Sequence, residues 1–381
     1  MADRLKLFIL AGEASGDRIG ADLVRRLKLH HAVDLEGVGG AALIAEGLNS
    51  LYPIDDLAVM GFADVVKRLP LLLWRARQTV RAALKMQPDV VVLIDAQVFS
   101  AEIARRLRAG GFAGPILLYV APAVYAWKPE RAPKLKALFE EVLAVLPFEP
   151  TVMARLGGPK TSYVGHPAVV GLPFRSELPA TGPLLLLPGS RTGELQRTLP
   201  MMADIARRLA GHPKITSFVL PTPSSQRTYV EGEVKTWGLP VEIVSTEADK
   251  AKAFGQAISA VAVAGTVTLE LALAGVPMVA TYIGDSGQAK RFEKYAVRFV
   301  ALPNIVLGRG VVPEALFTVP DPDRLAGVVR TLLDDPEARR LQVAAFAEMR
   351  QLMEKGAPEA PRVDPAERVL THLPQRLPMG T

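Results

Sequence analysis

Residues Pro88 to Ser100 read PDVVVLIDAQVFS, and this stretch decides the fold class. Val90 to Ile94 run without a polar break between a Pro-Asp opening and Asp95. So short and uniformly apolar a run, rich in valine, predicts a strand buried on both faces of a parallel sheet. In an open α/β sheet, ligands collect in the crevice beyond the carboxyl ends of the strands. Asp95 to Ser100 therefore become candidates for the site.

The same grammar repeats outward from this strand. Leu5 to Leu10 predict a strand that feeds AGEASGD, Ala11 to Asp17, and then a helix over Ile19 to Leu29. A strand, a glycine turn and a helix start make a ligand-binding corner, because free N–H groups at the helix start attract anions. The corner is neither a Walker A sequence nor GxGxxG, and a plain tight turn is the competing explanation. LEGVGG, Leu35 to Gly40, repeats strand and turn. Pro115 to Val120 predict a strand running into APAVYAWKPERAPK, where Tyr125 and Trp127 beside Lys128 suit a loop that packs on a ligand. Val142 to Leu146 lead into LPFEP, and YVGHP carries His166, equally a structural hydrogen-bonding group or a ligand contact.

Gly171 to Pro183 are rich in proline and polar residues and read as a linker. The expected division is an N-terminal Rossmann-like domain over 1–170, a linker over 171–183, and a C-terminal domain over 184–381 with a helical tail. The second half restarts with Leu184 to Leu187, PGSR at Pro188 to Arg191, and a helix from Glu194. Strands are expected at Ile215 to Leu220, Val241 to Val244 and Ala260 to Ala264. The last leads into GTVTLELALAGVPMV, Gly265 to Val279. Gly265, Thr266 and Thr268 at a helix start can hold a diphosphate, and Glu270, one turn in, can accept from ribose hydroxyls. LPNIVLGRGVVPEALF, Leu302 to Phe317, adds Asn304 and Arg309.

Composition bounds the chemistry. A chain of 381 residues is long for one core, and two domains are the natural expectation. No cysteine is present, which excludes disulfides, thiolate catalysis and Cys-ligated zinc. The five histidines form no HxxxH pair, so a dedicated metal site is not expected. The N-terminus lacks the apolar core of a signal peptide. Ala253 to Ile283, broken by Glu270, Gly275 and Pro277, reads as core rather than as a membrane span. A net charge of +6 suits an anionic membrane surface or a phosphorylated ligand. Runs of arginine interleaved with aromatics are missing, so nucleic acid is the weaker partner. Met60 to Lys85 combine Met60, Phe62, Leu72 and Trp74 with Lys67, Arg68, Arg75, Arg77 and Arg81. That mixture suits an interfacial membrane contact or an acyl-chain groove, and an ordinary core helix with a basic face competes with it.

Taken in order, AGEASGD, GVGG, LYPIDDLAVMGFADVV, VLPFEP, YVGHP, LLPGSR, GTVTLE, GVPMV and LPNIVLGRGVVPE resemble the bacterial lipid-A-disaccharide synthase family, inverting glycosyltransferases of the GT-B fold. The resemblance implies two Rossmann-like domains facing across a cleft, with no metal or redox cofactor. It implies transfer of 2,3-diacylglucosamine from its UDP donor to 2,3-diacylglucosamine 1-phosphate, with release of UDP. It further implies a protein peripheral to the inner membrane of a Gram-negative bacterium, on the cytoplasmic side, with a homodimer as an open option. Gly189, Ser190, Arg191, Gly265, Thr266, Thr268, Glu270, Asn304 and Arg309 would then bind the donor, Arg191 also stabilising the departing diphosphate. Glu13, Asp17 and Asp95 would be candidates for the base, and Ser15 would line the acceptor side with Tyr125 and Trp127.

The chain departs from the family pattern near the site. The family's IDAPDFN-type segment is IDAQVFS here, so Val98 stands where the family's leading candidate for general base is an aspartate. SPSVWAWR becomes APAVYAWK, the serine of SGTxTLE is Ala264, and the glutamine after PELL is Phe317. Losing a positioned base costs about 10²–10⁴-fold in rate. Three functions therefore stand at this point: the synthase with Asp95, Glu13 or Asp17 as base, a paralogue with another donor or acceptor, and a non-catalytic nucleotide-sugar or lipid-binding protein. PGSR and GTVTLE speak for retained UDP-sugar binding.

Overall fold

The computed structural model describes residues 4–57, 61–284, 287, 292–295 and 297–373, with the backbone alone over 61–67. It falls into two compact units, one of residues 1–166 with 355–381 and one of residues 167–354.

The first unit is built on a seven-stranded sheet: β1 (Leu5–Ala11), β2 (Val33–Val38), β3 (Asn49–Ser50), β4 (Val90–Ile94), β5 (Ile116–Tyr119), β6 (Glu141–Ala144) and β7 (Lys160–Tyr163). All pairs are parallel, in the order β3-β2-β1-β4-β5-β6-β7. The opening strand is β4, and each of its residues is buried. It pairs β1 from Leu7↔Val90 to Ala11↔Ile94. Helices cover both faces of such a sheet, which is why the alternation of a one-sided strand is missing from Val90 to Ile94. Phe8, Leu10, Val91, Leu93, Leu118 and Val142 form the core with Ile103 and Leu107 of the following helix.

The second unit repeats the plan with β8 (Gly182–Leu187), β9 (Ile215–Pro221), β10 (Val241–Val244), β11 (Ser259–Val263), β12 (Met278–Ile283) and β13 (Glu314–Phe317). The order is β10-β9-β8-β11-β12-β13, again parallel. In both sheets the first strand lies between the second and the fourth. This is the reversal that opens a ligand crevice at the carboxyl edge. The expected α/β class with two Rossmann-like units is what the chain forms.

Two boundaries differ from those expected. The segment expected as a linker is tied into the second unit: Arg175 donates to the carbonyl oxygens of Gly255 (3.2 Å), Ala257 (2.5 Å) and Gly275 (3.4 Å). The chain end, expected to belong to the C-terminal domain, returns to the first unit instead. There Val363 N donates to Tyr163 O at 3.0 Å. Arg26 reaches Asp364 at 2.8 Å, and the fully buried Glu141 of β6 accepts from Arg368 (2.5 Å) and His372 (2.6 Å). Burial opposes ionisation of Glu141, but hydrogen bonds from His372, Arg368 and Ser162 outweigh it and hold the carboxyl down at about 2. A depressed carboxylate contributes stability above its ordinary value of 4.5 and loses it as pH falls towards 2.

Candidate active site

In the first unit the strand order reverses where β1 and β4 run out side by side. After β1 come Gly12 and Glu13, then helix α1 (Ala14–Lys28). After β4 come Asp95 and Ala96, then, beyond the short α2 (Ala41–Ala45) and α3 (Gly61–Met86) earlier in the chain, helix α4 (Gln97–Ala109). The two turns touch. A Cβ on Gly12 would fall 2.2 Å from the Ala96 Cβ, so only glycine lets the β1 turn approach so closely.

Asp95 and Ala96 are both left-handed, with φ of +56° and +40°. Such residues cost about 1–3 kcal/mol each and persist where the surroundings over-determine them. Here Asp95 N donates to Tyr119 O at 3.1 Å and Ser100 Oγ donates to Asp95 O at 2.7 Å. Val120 and Lys128, beyond β5, also have positive φ, +74° and +50°. Among the described residues the non-glycine left-handed positions thus gather at the carboxyl edges of β4 and β5, Gln87 apart. Functional sites are where such strain accumulates.

The half-buried Asp95 carboxylate accepts from Ser15 Oγ at 3.5 Å. Glu13, at the N-cap of α1, is exposed and makes no capping bond with its side chain. Asp17 requires a correction: it is buried and accepts from Gly40 N (2.7 Å), Ala42 N (2.9 Å) and Leu43 N (3.1 Å). Both of its oxygens satisfy orphan donors at the start of α2, a structural cap in place of the expected catalytic role. Val98, in the first turn of α4, is 77% exposed.

The loops after β5 and β6 pack together. Tyr125 stands edge-on to Phe148 with ring centroids 5.0 Å apart, and Lys128 Nζ lies 5.1 Å from the Trp127 ring centroid. Beside Tyr125 is the buried Glu149 of LPFEP, which is not among the expected site residues. Burial pushes its carboxyl up to about 8, although two backbone donors pull the other way: Leu146 N donates to it at 2.9 Å, and Val145 N also donates. An acidic residue within an otherwise apolar stretch, Val142 to Pro150, was the available signal. A raised carboxyl contributes stability below its ordinary 4.5 and loses it as pH rises through about 8. Glu149→Gln keeps an acceptor and stays neutral. Its melting temperature relative to the parent is therefore expected to rise between pH 5 and pH 8 and then level off; a difference independent of pH contradicts this. His166 is shifted the other way, down to about 4, by burial and by the nearby Arg18 cation.

In the second unit PGSR follows β8. Gly189 has φ +99°, a conformation that favours glycine, and a Cβ there would sit 2.7 Å from Glu194 Oε2. Arg191 stands at the N-cap of the helix Thr192–Leu209 with its side chain 64% exposed, 3.3 Å from Glu194. Gly265 and Thr266 open the helix Thr266–Leu273 and are exposed, and an added Cβ on Gly265 would meet nothing within 4 Å. Glu270, one turn in, lies 2.7 Å from Lys250.

Of three further residues expected at the donor, Thr268 and Asn304 are buried and bonded within the fold, and Arg309 pairs at the surface. Thr268 is buried, donating to Gly265 O at 2.8 Å and accepting from Leu302 N at 3.3 Å. Asn304 is buried with its amide fully used: it donates to Val312 O and Glu314 Oε1 and accepts from Val311 N and Val312 N, each at 2.8 Å. Arg309 forms a forked pair with Glu348, at 2.9 and 2.5 Å, on the exposed surface.

On α3, Leu69, Leu73 and Trp74 are 46%, 39% and 54% exposed, and Leu73, Arg77 and Arg81 follow one another at four-residue spacing. Leu72, expected with them, packs inward on the core. Met60 lies outside the described residues, and Phe62 is described by its backbone alone. Among the described residues no helix is long and apolar enough to cross a membrane.

A family model described as lipid-A-disaccharide synthetase matches residues 7–363. The lipid-A-disaccharide synthase of Nitrobacter hamburgensis is 42% identical over 362 residues, 92% of this chain and 91% of that one. That of Bradyrhizobium diazoefficiens is 40% identical over 380 residues, 96% of each. Solved structures share the fold at low identity. An S. aureus MnaA–UDP complex matches with TM-score 0.64 and 12% identity, over 97% of this chain and 96% of that one. The calicheamicin glycosyltransferase CalG4 matches with TM-score 0.59 and 16% identity, over 99% and 100%. MurG of Acinetobacter baumannii matches with TM-score 0.54 and 14% identity, over 97% and 99%.

Proposed function

The chain belongs to the lipid-A-disaccharide synthase family, and from that premise we propose how its residues divide the reaction. The chain is a GT-B glycosyltransferase that transfers 2,3-diacylglucosamine from UDP to 2,3-diacylglucosamine 1-phosphate. The observation that carries this is the family match over residues 7–363, joined by relatives about 40% identical along nearly the whole chain. The paralogue and binding-protein alternatives have no observation of comparable reach.

The carboxyl edge of the second sheet supplies the donor site. Gly189, Ser190, Arg191, Gly265 and Thr266 meet the diphosphate, where an arginine and free helix N–H groups offset its charge. Glu270 accepts from the ribose hydroxyls. The carboxyl edge of the first sheet takes the acceptor, with Tyr125 and Trp127 beside it. Asp95 is the base. It removes the proton of the acceptor 6-hydroxyl as that oxygen bonds to the anomeric carbon and the bond to the diphosphate oxygen breaks. One in-line displacement inverts the centre and gives a β-1,6 linkage, with UDP leaving. Asp95 is favoured over Glu13 because its backbone is held at left-handed φ and its carboxylate is oriented by Ser15. Val98 cannot accept a proton.

The direct test supplies the purified protein with both substrates and follows products. Equimolar UDP and disaccharide phosphate are expected; UDP without disaccharide, or neither, overturns the proposal.

Acylated substrates reside in a membrane, and the exposed Leu69, Leu73 and Trp74 with Arg77 and Arg81 suit peripheral binding to an anionic bilayer. Leu73→Glu combined with Trp74→Glu is expected to weaken partition onto phosphatidylglycerol vesicles by about tenfold or more. Unaltered sedimentation with vesicles contradicts this surface.

A further inference from the structure

The Glu270 carboxylate has a partner that neither PGSR nor GTVTLE accounts for. The helix Glu247–Gln256 leaves the carboxyl end of β10 and returns the chain to β11. Thr246 caps it, its Oγ1 accepting from Asp249 N at 3.0 Å and donating to Asp249 Oδ2 at 2.7 Å. The cap fixes where the first turn begins, and that turn delivers Lys250. Its Nζ lies 2.7 Å from Glu270 Oε2, while its other carboxylate neighbour, Glu247, is at 3.7 Å. Both side chains of the close pair are 22% exposed, and Lys250 Nζ also lies 5.7 Å from the Phe254 ring centroid. An ion pair covered to this degree is screened less than one in open solvent. The contact occupies one oxygen of Glu270; Oε1 has no partner among the described residues.

We infer that Lys250 is a positioning residue of the donor site: by engaging Oε2 it holds the Glu270 carboxylate so that Oε1 faces the ribose hydroxyls of a uridine nucleotide. The inference rests on the assignment of Glu270 to the ribose. A glutamate side chain without such a partner samples several rotamers, and ordering it would oppose nucleotide binding. Lys250 imposes that order before the nucleotide arrives. The ammonium is a positioning group here, acting on the nucleotide through the carboxylate.

Calorimetry on the full chain with UDP and with 2′-deoxyuridine diphosphate tests this, because a plain strut between two helices would not discriminate between them. Lys250→Met is expected to weaken UDP by about tenfold, the scale of losing one partly covered ion pair, and to leave the deoxy nucleotide nearly unaffected. Lys250→Arg is expected to recover most of the loss, and in turnover Lys250→Met raises the donor KM with little change in kcat. Equal weakening of both nucleotides by Lys250→Met, or no weakening, overturns the role of Lys250. Glu270→Gln separates the two claims. If it abolishes discrimination while Lys250→Met retains it, Lys250 alone is reassigned. If Glu270→Gln itself still discriminates, the ribose assignment fails and this inference with it.

Discussion

Asp95→Asn is expected to lower kcat by about 10²–10⁴-fold, the range lost when a positioned proton acceptor is removed. The substitution isolates chemistry from folding. Asparagine has nearly the shape of aspartate, accepts from Ser15 as aspartate does, and is among the few residues that tolerate left-handed φ readily. The backbone bonds to Tyr119 and from Ser100 involve main-chain atoms of residue 95 and survive the change. With the donor held by the second unit as proposed, the donor KM is expected to stay close to that of the parent. An unchanged kcat would move the base to Glu13, the exposed carboxylate at the N-cap of α1.

Arg191→Ala is expected to cost about 10²–10³-fold in kcat, the loss that follows removal of one charge stabiliser from a transition state. In the displacement, negative charge grows on the diphosphate as the glycosidic bond breaks, so the arginine is worth more there than in the ground state. Folding should be little affected: the side chain is 64% exposed and its neighbour, Glu194, is 3.3 Å away. Exposed pairs of this kind contribute about 0–1 kcal/mol. UDP titration and turnover together decide the matter. A large fall in UDP affinity with intact kcat would make Arg191 a binding group only.

The sheets were legible in the sequence because parallel strands buried on both faces leave continuous apolar runs. Val90 to Ile94, Leu184 to Leu187 and the run ending at Val263 each became a strand where expected. β13 escaped notice: four residues, Glu314–Phe317, at a sheet edge with alternating burial resemble the loop around them. The return of residues 355–373 to the first unit was equally hidden. It depends on pairs such as Glu141 with Arg368, 227 positions apart, which leave no local pattern. Site residues were legible as a neighbourhood but not by job. Asp17 follows a glycine turn at a strand end and Asn304 precedes the glycines of LGRG, as ligand-binding residues do, but helix starts and tight loops also present unpaired backbone N–H groups nearby. Only coordinates distinguish a carboxylate facing substrate from one facing such donors. The left-handed pair Asp95–Ala96 carried no glycine to announce it.

The central claim is that Asp95 performs the proton transfer in a family member that has valine at position 98. Single-turnover rates of Asp95→Asn and of Asp95→Asn combined with Val98→Asp, with both sugar substrates saturating, test it most directly. The account predicts that the single variant turns over far more slowly than the parent, and that an aspartate one turn on, in the exposed position of Val98, restores a large part of the rate. Parental rates in Asp95→Asn alone would contradict it.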